Sequence, residues 1–143
     1  MTSVVVRHQG HMVFQGENAS GHRVTMDSSP EAGGTNQGIR PMEMLLLGLG
    51  GCTGIDVVGM LEKMRVPFDR FEMAIDGERV DTHPKVYRDI EIRYQFFGDS
   101  IAKDKVLRAV HLSHEKYCSV SAMLQASASV TAAVYINGQR VED

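Results

Sequence analysis

The stretch PMEMLLLGLGGCTGIDVVGMLEKMR, from Pro41 to Arg65, is the longest apolar segment of the chain and contains Cys52, one of its 2 cysteines. Pro41 suits the first position of a helix, and the carboxylate of Glu43 in the first turn interacts favourably with the helix dipole. The side chains that follow are almost all apolar or small until Asp56, which leaves little room for a polar stripe. We therefore predict a central helix with most of its circumference buried.

Glycines cluster around Cys52 in this helix, at positions 48, 50, 51 and 54. Each costs about 1 kcal/mol relative to alanine in an exposed helix interior, so the cluster needs an explanation. We predict that another backbone approaches closely there. A helix this apolar also needs burial on several faces, and the same helix of a second subunit across a two-fold axis would provide it. The sequence thus predicts a homodimer, with a deep core within one chain as the alternative.

A membrane span is not expected for this segment. The glycines, Thr53 and Asp56 interrupt the apolar run before it reaches the roughly 20 apolar residues that a span needs. The first residues, MTSVVVRHQG, also lack the basic and apolar regions of a secretory signal. We expect a cytoplasmic protein that does not bind a membrane.

Composition indicates an ordinary globular chain. With 143 residues and 43% hydrophobic content, the chain is expected to form one domain over 1–143. The net charge of -3 is mild and no run of Lys or Arg is present, so the basic surface typical of nucleic-acid binders is missing. We expect no nucleic acid among its partners.

The rest of the chain supplies strands and two further helices, in the order β-β-helix-β-β-helix-short helix-β. This order predicts an α+β fold, with one hairpin before the central helix in the sequence and one after it. The predicted strands are 4–16 with a break or bulge at Gly10, 22–27 before a loop over 28–39, 71–80, 86–98 with a local slip near Arg88 and Asp89, and 129–138 ending in an Asn137-Gly138 turn. The predicted helices are 101–116, capped by Asp99 or Ser100, and a short helix capped by Ser119.

The two cysteines are the main chemical candidates. In a chain of cytosolic character they are not a disulfide scaffold, and a bond between them would be catalytic or redox-sensing. Cys118 starts the short helix, where free N–H groups and the dipole favour a thiolate. Cys52 lies within the apolar helix, and because free cysteine is among the most buried residue types, composition alone favours an inert Cys52.

The histidines raise the question of a metal site. His111, His114 and Cys118 could share one helix face if the helix continued that far. No fourth ligand is evident, however, and Tyr117 ends the helix. We therefore expect surface histidines, no metal and no cofactor.

Two segments carry a family resemblance. The stretch from Pro41 together with KYCSVSAMLQASASVTAAVYING, from Lys116 to Gly138, resembles the two signature segments of the OsmC/Ohr family of osmotically inducible and organic hydroperoxide resistance proteins. In that family a P-x-E-x-L/M helix start leads to small residues and a cysteine, and a second cysteine opens a C-P/S-V-S helix. The G-G-C-x-x-I-D-V-V continuation is most similar to the YhfA-like branch.

The resemblance implies antiparallel sheets around a buried central helix, in an intertwined homodimer with its active sites at the interface. It also implies thiol-dependent reduction of organic hydroperoxides or hydrogen peroxide. Cys52 would form a sulfenic acid with a lowered pKa at its thiol, Cys118 would resolve it as a disulfide, and an external dithiol would reset the pair.

The family's peroxidases also hold an arginine beside the reactive cysteine, oriented by a glutamate. That glutamate position falls on Met42, and Glu43 lies one residue later, about 100° further around a helix. Arg40 is the most attractive arginine because it directly precedes the helix; Arg7 and Arg23 are the other candidates. Two alternatives to a peroxidase stay open, a small-molecule or acyl-thiol binding protein and a redox sensor.

Overall fold

The computed structural model describes residues 1–142 and confirms the α+β fold, with three α-helices among the strands of that part of the chain. The predicted domain span of 1–143 ends on Asp143, which lies outside the described residues. By internal contacts the chain divides into two compact units, Met1–Leu45 and Leu46–Asp143.

The first unit contains a three-stranded antiparallel sheet. Its strands are β1 (Val4–His8), β2 (Phe14–Asn18) and β3 (Arg23–Met26). The interruption predicted at Gly10 is confirmed, but the single strand predicted over 4–16 is wrong: β1 and β2 are antiparallel, and the chain reverses between them where Gly10 and His11 take left-handed φ angles of 102° and 50°. Strand β3 confirms the returning strand predicted over 22–27.

Asp27 organises the loop that was predicted over 28–39. Its buried carboxylate accepts hydrogen bonds from the N–H groups of Ser28, Thr35 and Gln37 at 2.8 to 3.0 Å. The bond from Gln37 contributes most to holding the pKa of Asp27 below its usual value, against the opposing effect of burial. Three backbone N–H groups of the loop therefore converge on one ionised side chain.

The central helix, α1 (Pro41–Lys63), confirms the predicted segment to within two residues. Its N-cap is Arg40, whose backbone N–H donates to Glu43 Oε1 at 2.8 Å. This is one half of a capping box, in which the third helical residue satisfies the N–H of the cap. Beyond the helix, Arg65 adopts a left-handed φ of 59° that ends the helical path.

Only one side of α1 is buried within the chain. The buried residues are Leu49, Gly50, Thr53, Val57 and Leu61. On other faces, Leu47 is 58% exposed and Ile55 is 77% exposed. The prediction that most of the circumference is buried is therefore wrong for the single chain, because one sheet covers only one side of a helix.

The glycines of α1 divide into two groups. A Cβ at Gly50 or Gly54 would lie 2.9 Å from Ile75 Cδ1 or Met73 Cε, respectively. Positions 48, 51 and 59 have open space where a Cβ would be. The prediction that another backbone approaches these glycines is therefore wrong within this chain. The ends of the Ile75 and Met73 side chains occupy the space beside Gly50 and Gly54.

Judged by its length and composition, helix α1 could also cross a membrane. Of its most apolar 18-residue stretch, 33% is buried. The argument from an interrupted apolar run is wrong, because the helix continues through its glycines and Asp56 over 23 residues. Core helices of soluble proteins meet the same criteria. The absence of a membrane partner stays a prediction.

The second unit contains a four-stranded sheet. Its strands, in spatial order, are β4 (Arg70–Arg79), β5 (Tyr87–Phe97), β6 (Ser129–Ile136) and β7 (Gln139–Val141). The predicted hairpin of β4 and β5 is confirmed, with its register shift opposite Arg88, as is the turn at Asn137 and Gly138 that leads to β7.

Strands β5 and β6 run parallel, which corrects the expectation of purely antiparallel sheets. A parallel pair needs a long crossover, and the helical segments between the two strands supply it. Fully buried side chains of β5, among them Ile90, Ile92, Tyr94 and Phe96, form the core of this unit.

The crossover consists of α2 (Lys103–Leu112), a π-helical turn over Ser113–Tyr117, and α3 (Ser119–Leu124). Both predicted caps are corrected. The N-cap of α2 is Ala102, without a side-chain hydrogen bond, in place of Asp99 or Ser100. The N-cap of α3 is Cys118 in place of Ser119, because the π-helical turn places Cys118 in the extended conformation before the helix.

Candidate functional site

The two cysteines meet in the second unit. Cys52 comes from the middle of α1 and Cys118 from the start of α3, and both are free thiols. Their sulfur atoms and a carboxylate oxygen of Asp56 all lie within 4.8 Å of one another. Cys118 is buried and Cys52 is half-buried. The structure thus brings together the two residues that the sequence singled out.

Asp56 is the third member of this cluster, although it is not among the site residues that the sequence predicts. It follows Cys52 by four residues on α1, so both side chains lie on the same face of the helix. Ser113 Oγ donates a hydrogen bond to Asp56 Oδ2 at 3.0 Å. The carboxylate is therefore fixed in place beside the thiols by a residue of the π-helical turn.

A chain of buried hydroxyl groups supports Asp56. Thr53 Oγ1 lies 2.7 Å from Tyr94 Oη and 2.7 Å from Ser113 Oγ, and all three residues are buried. Tyr94 can donate to Thr53, Thr53 to Ser113, and Ser113 to Asp56, so each hydroxyl has one acceptor. Burial raises the pKa of Tyr94 to about 12, which keeps this phenol protonated at neutral pH.

Cys118 carries its proton at neutral pH. Burial, above all, raises its pKa to about 11; the neighbouring Cys52 and the charge of Asp56 act in the same direction, and a hydrogen bond from the Ser121 N–H opposes them. The expectation that the start of α3 favours a Cys118 thiolate is therefore wrong, because desolvation outweighs the local N–H group.

An open groove of about 700 Å³ reaches Asp56. Its apolar lining includes Met60 and Met64. Three cations, Lys63, Lys105 and Arg108, also border it. The other lining residues are Ile55, Gly59, Leu112 and Tyr117. The groove therefore combines an apolar surface with a cationic edge.

Arg40 and Glu43 lie together at the start of α1. Besides the capping bond, the Arg40 guanidinium donates to Asn36 Oδ1 at 2.9 Å and to the carbonyl of Gly38 at 3.0 Å. These contacts give both residues a structural role in the first unit. Their catalytic roles stay predictions.

The other candidates from the sequence have partners of their own or do not belong to the thiol cluster. Arg7 and Arg23 each form an ion pair with Glu17, at 3.2 and 3.4 Å. Within residues 1–142, the group of side chains able to share a metal ion is Cys52, Asp56 and Cys118, and neither histidine of the predicted helix face belongs to it.

The sequence model of OsmC-like proteins matches residues 34–133. The chain belongs to the OsmC-like family. Among OsmC-like relatives, protein YhfA of Escherichia coli strain K12 is 38% identical over 120 residues, which cover 84% of this chain and 87% of YhfA. The predicted family and its YhfA-like branch are thus confirmed.

Solved structures show the same OsmC fold. A hypothetical protein from Aquifex aeolicus VF5 is 32% identical, with a TM-score of 0.80 over 96% of this chain and 98% of that one. An organic hydroperoxide resistance protein OsmC from Legionella pneumophila is 13% identical, with a TM-score of 0.70 over 95% and 96% of the two chains. At that identity the similarity concerns the fold alone.

Proposed function

We propose that this OsmC-like protein reduces organic hydroperoxides, or hydrogen peroxide, with Cys52 as the reacting thiol and Cys118 as the resolving thiol. The observation that carries the proposal is the convergence of the two sulfurs, from α1 and α3, to within 4.8 Å. Membership in a family that includes hydroperoxide resistance proteins supports it.

The first step oxidises Cys52. Its thiolate attacks one oxygen of the peroxide, an S–O bond forms and the O–O bond breaks. The released alkoxide takes a proton from solvent and leaves as an alcohol. The sulfur has lost two electrons and is now a sulfenic acid. Cys52 is half-buried, so the proposal requires a route for the peroxide to its sulfur.

The second step forms the disulfide. The Cys118 thiolate attacks the sulfenic sulfur, and hydroxide leaves as water after protonation. Cys52 contributes to the raised pKa of Cys118 through a hydrogen bond and through its charge. Both contributions change when Cys52 becomes a neutral sulfenic acid, so oxidation of the first thiol favours ionisation of the second. An external dithiol then reduces the disulfide by thiol–disulfide exchange and is itself oxidised.

We propose further that the protein is a cytoplasmic homodimer and that each of its chains forms a single domain. The exposed side chains of Leu47 and Ile55 form apolar surface on α1, and the open positions 48, 51 and 59 allow a second copy to approach it. OsmC-like membership supports the same assembly.

A thiol count tests the proposal. The reduced protein is mixed with a small excess of an organic hydroperoxide, and free thiols are counted before and after, in parallel with Cys52→Ser and Cys118→Ser. We expect rapid loss of both thiols in the parent and only a sulfenic acid in Cys118→Ser. Thiols that persist, reacting no faster than free cysteine, would contradict a peroxidase.

The groove supports a second candidate function, the binding of a small molecule without efficient turnover. Its apolar lining and its edge of Lys63, Lys105 and Arg108 suit an anionic ligand with an apolar body. Saturable binding of a medium-chain carboxylate, combined with thiols that do not react with peroxide, would favour this candidate over the first.

A further inference from the structure

Asp56 turns the thiol pair into a cluster of three metal donors. The two sulfurs and a carboxylate oxygen all lie within 4.8 Å of one another. Zinc is held at about 2.3 Å by sulfur and about 2.0–2.2 Å by a carboxylate oxygen, so its donors lie about 3.5–3.8 Å apart. Small side-chain movements would bring the three atoms to those separations.

We propose that the reduced protein binds a thiophilic divalent cation, Zn²⁺ in particular, through Cys52, Cys118 and Asp56. This donor set suits zinc, whereas Mg²⁺ and Ca²⁺ prefer oxygen ligands only. Three protein ligands leave the fourth tetrahedral position for water. The inference uses the same thiols as the proposed function but requires no peroxide chemistry, and it replaces the expectation of no metal.

The surroundings of the cluster hold its donors in place. Ser113 Oγ donates to Asp56, and a carboxylate offers about four lone-pair directions, so this bond leaves an acceptor site for a cation. Cys118 Sγ accepts the N–H of Ser121 at 3.3 Å. Hydrogen bonds of this kind orient metal ligands and typically change metal affinity by about 10- to 100-fold.

Metal binding and oxidation exclude each other at this site. Each ligating thiol releases its proton to solvent, and the cation then compensates the negative charge of the two sulfurs and Asp56. A disulfide between the cysteines would remove two of the three ligands. The bound cation therefore protects the thiol pair from peroxide until the metal is withdrawn.

A cobalt titration tests this site. The reduced full chain, freed of metal with a chelator, is titrated with Co²⁺ as a spectroscopic probe and then with Zn²⁺ as a competitor. We expect one ion per chain, with the sulfur-to-cobalt charge-transfer band and the intense visible bands of a four-coordinate site. Titration without a charge-transfer band would overturn the proposal.

Variants assign the ligands. Cys52→Ser and Cys118→Ser should each reduce the charge-transfer intensity by about half, since each removes one sulfur. Asp56→Asn should weaken Zn²⁺ binding by about tenfold or more. Glu62→Gln is the matched control, because it removes an exposed carboxylate from the same helix. Equal affinity in the parent, Asp56→Asn and Glu62→Gln would overturn the role of Asp56.

The same samples separate this inference from the proposed function. Peroxide-dependent disulfide formation is measured without metal and again with Zn²⁺ present. Disulfide formation without any Zn²⁺ binding would overturn the metal site alone. Zn²⁺ binding in a protein whose thiols do not react with peroxide would overturn the peroxidase alone. If both hold, Zn²⁺ should slow thiol loss in the parent and less so in Asp56→Asn.

Discussion

Helix α1 carries two polar clusters that are built in different ways. At its start, Arg40 and Glu43 contact each other and residues at most four positions away. At its middle, Thr53 and Asp56 bond to partners 41 to 60 positions away in the sequence. The first cluster is exposed or half-buried, whereas the hydroxyl groups of the second are buried. Local sequence thus specifies the helix start, and tertiary packing creates the site.

The largest effect should come from removing a sulfur at the middle of the helix. Cys52→Ser should lower peroxide turnover by about a hundredfold or more, since no other thiol replaces the nucleophile. Consumption of a hydroperoxide with an excess of dithiol measures it. If Glu43→Gln lowers turnover equally, the helix start belongs to the reacting site and the comparison between the two clusters fails.

The protonation of Cys118 should make the resolving step depend on pH. Its raised pKa means that the thiolate fraction at neutral pH is small and increases about tenfold per pH unit. Burial, the largest cause, persists after Cys52 is oxidised. The lifetime of the Cys52 sulfenic acid should therefore fall steadily from pH 6 to pH 8, as measured with a sulfenic-acid trap. A constant lifetime would contradict a buried, protonated resolving thiol.

Breaking the hydroxyl chain should destabilise the fold. Thr53→Val keeps the shape of the side chain but leaves the Tyr94 and Ser113 hydroxyls without their shared partner, which should cost about 1–3 kcal/mol. Urea denaturation measures the free energy of unfolding, and Thr53→Ser serves as the control that keeps the hydroxyl. Equal stability of Thr53→Val and the parent would show that the hydroxyl chain contributes nothing to the free energy of unfolding.

The helix start should tolerate change better. Glu43→Ala removes the acceptor for the Arg40 N–H, and loss of such a cap should cost about 0.5–1 kcal/mol, less than the change at Thr53. The same urea experiment applies, with Glu62→Ala as a control at an exposed position of α1. A loss greater than that of Thr53→Val would reverse the order of the two clusters.

The helices and strands were predictable where the pattern of apolar and polar residues within one segment defines the element. The apolar run of α1 and the alternation in β4 and β5 predicted those elements correctly. The parallel pairing of β5 with β6 was not predictable, because strand direction is set by a crossover rather than by either strand. The cap at Cys118 was missed because the π-helical turn before it has no signal in the sequence.

The site was predictable in part. The cysteines were found through family resemblance, since composition alone favoured an inert Cys52. Asp56 lies four positions after Cys52, within the G-G-C-x-x-I-D-V-V continuation, but nothing in this pattern separates a carboxylate at a site from one that interrupts an apolar face. Ser113 and Tyr94 gave no signal, because a serine in a helical segment and a tyrosine in a strand have ordinary structural explanations.

Cys118 has two roles, because it is both a member of the thiol pair and the N-cap of α3. Its sulfur accepts the Ser121 N–H that opens that helix. A disulfide with Cys52 replaces the S–H bond of this sulfur, fixes the directions of its lone pairs, and so changes the angle at which the N–H meets them. The first turn of α3 is therefore coupled to the oxidation state of the site, so the chemistry of one atom can alter the order of a surface helix.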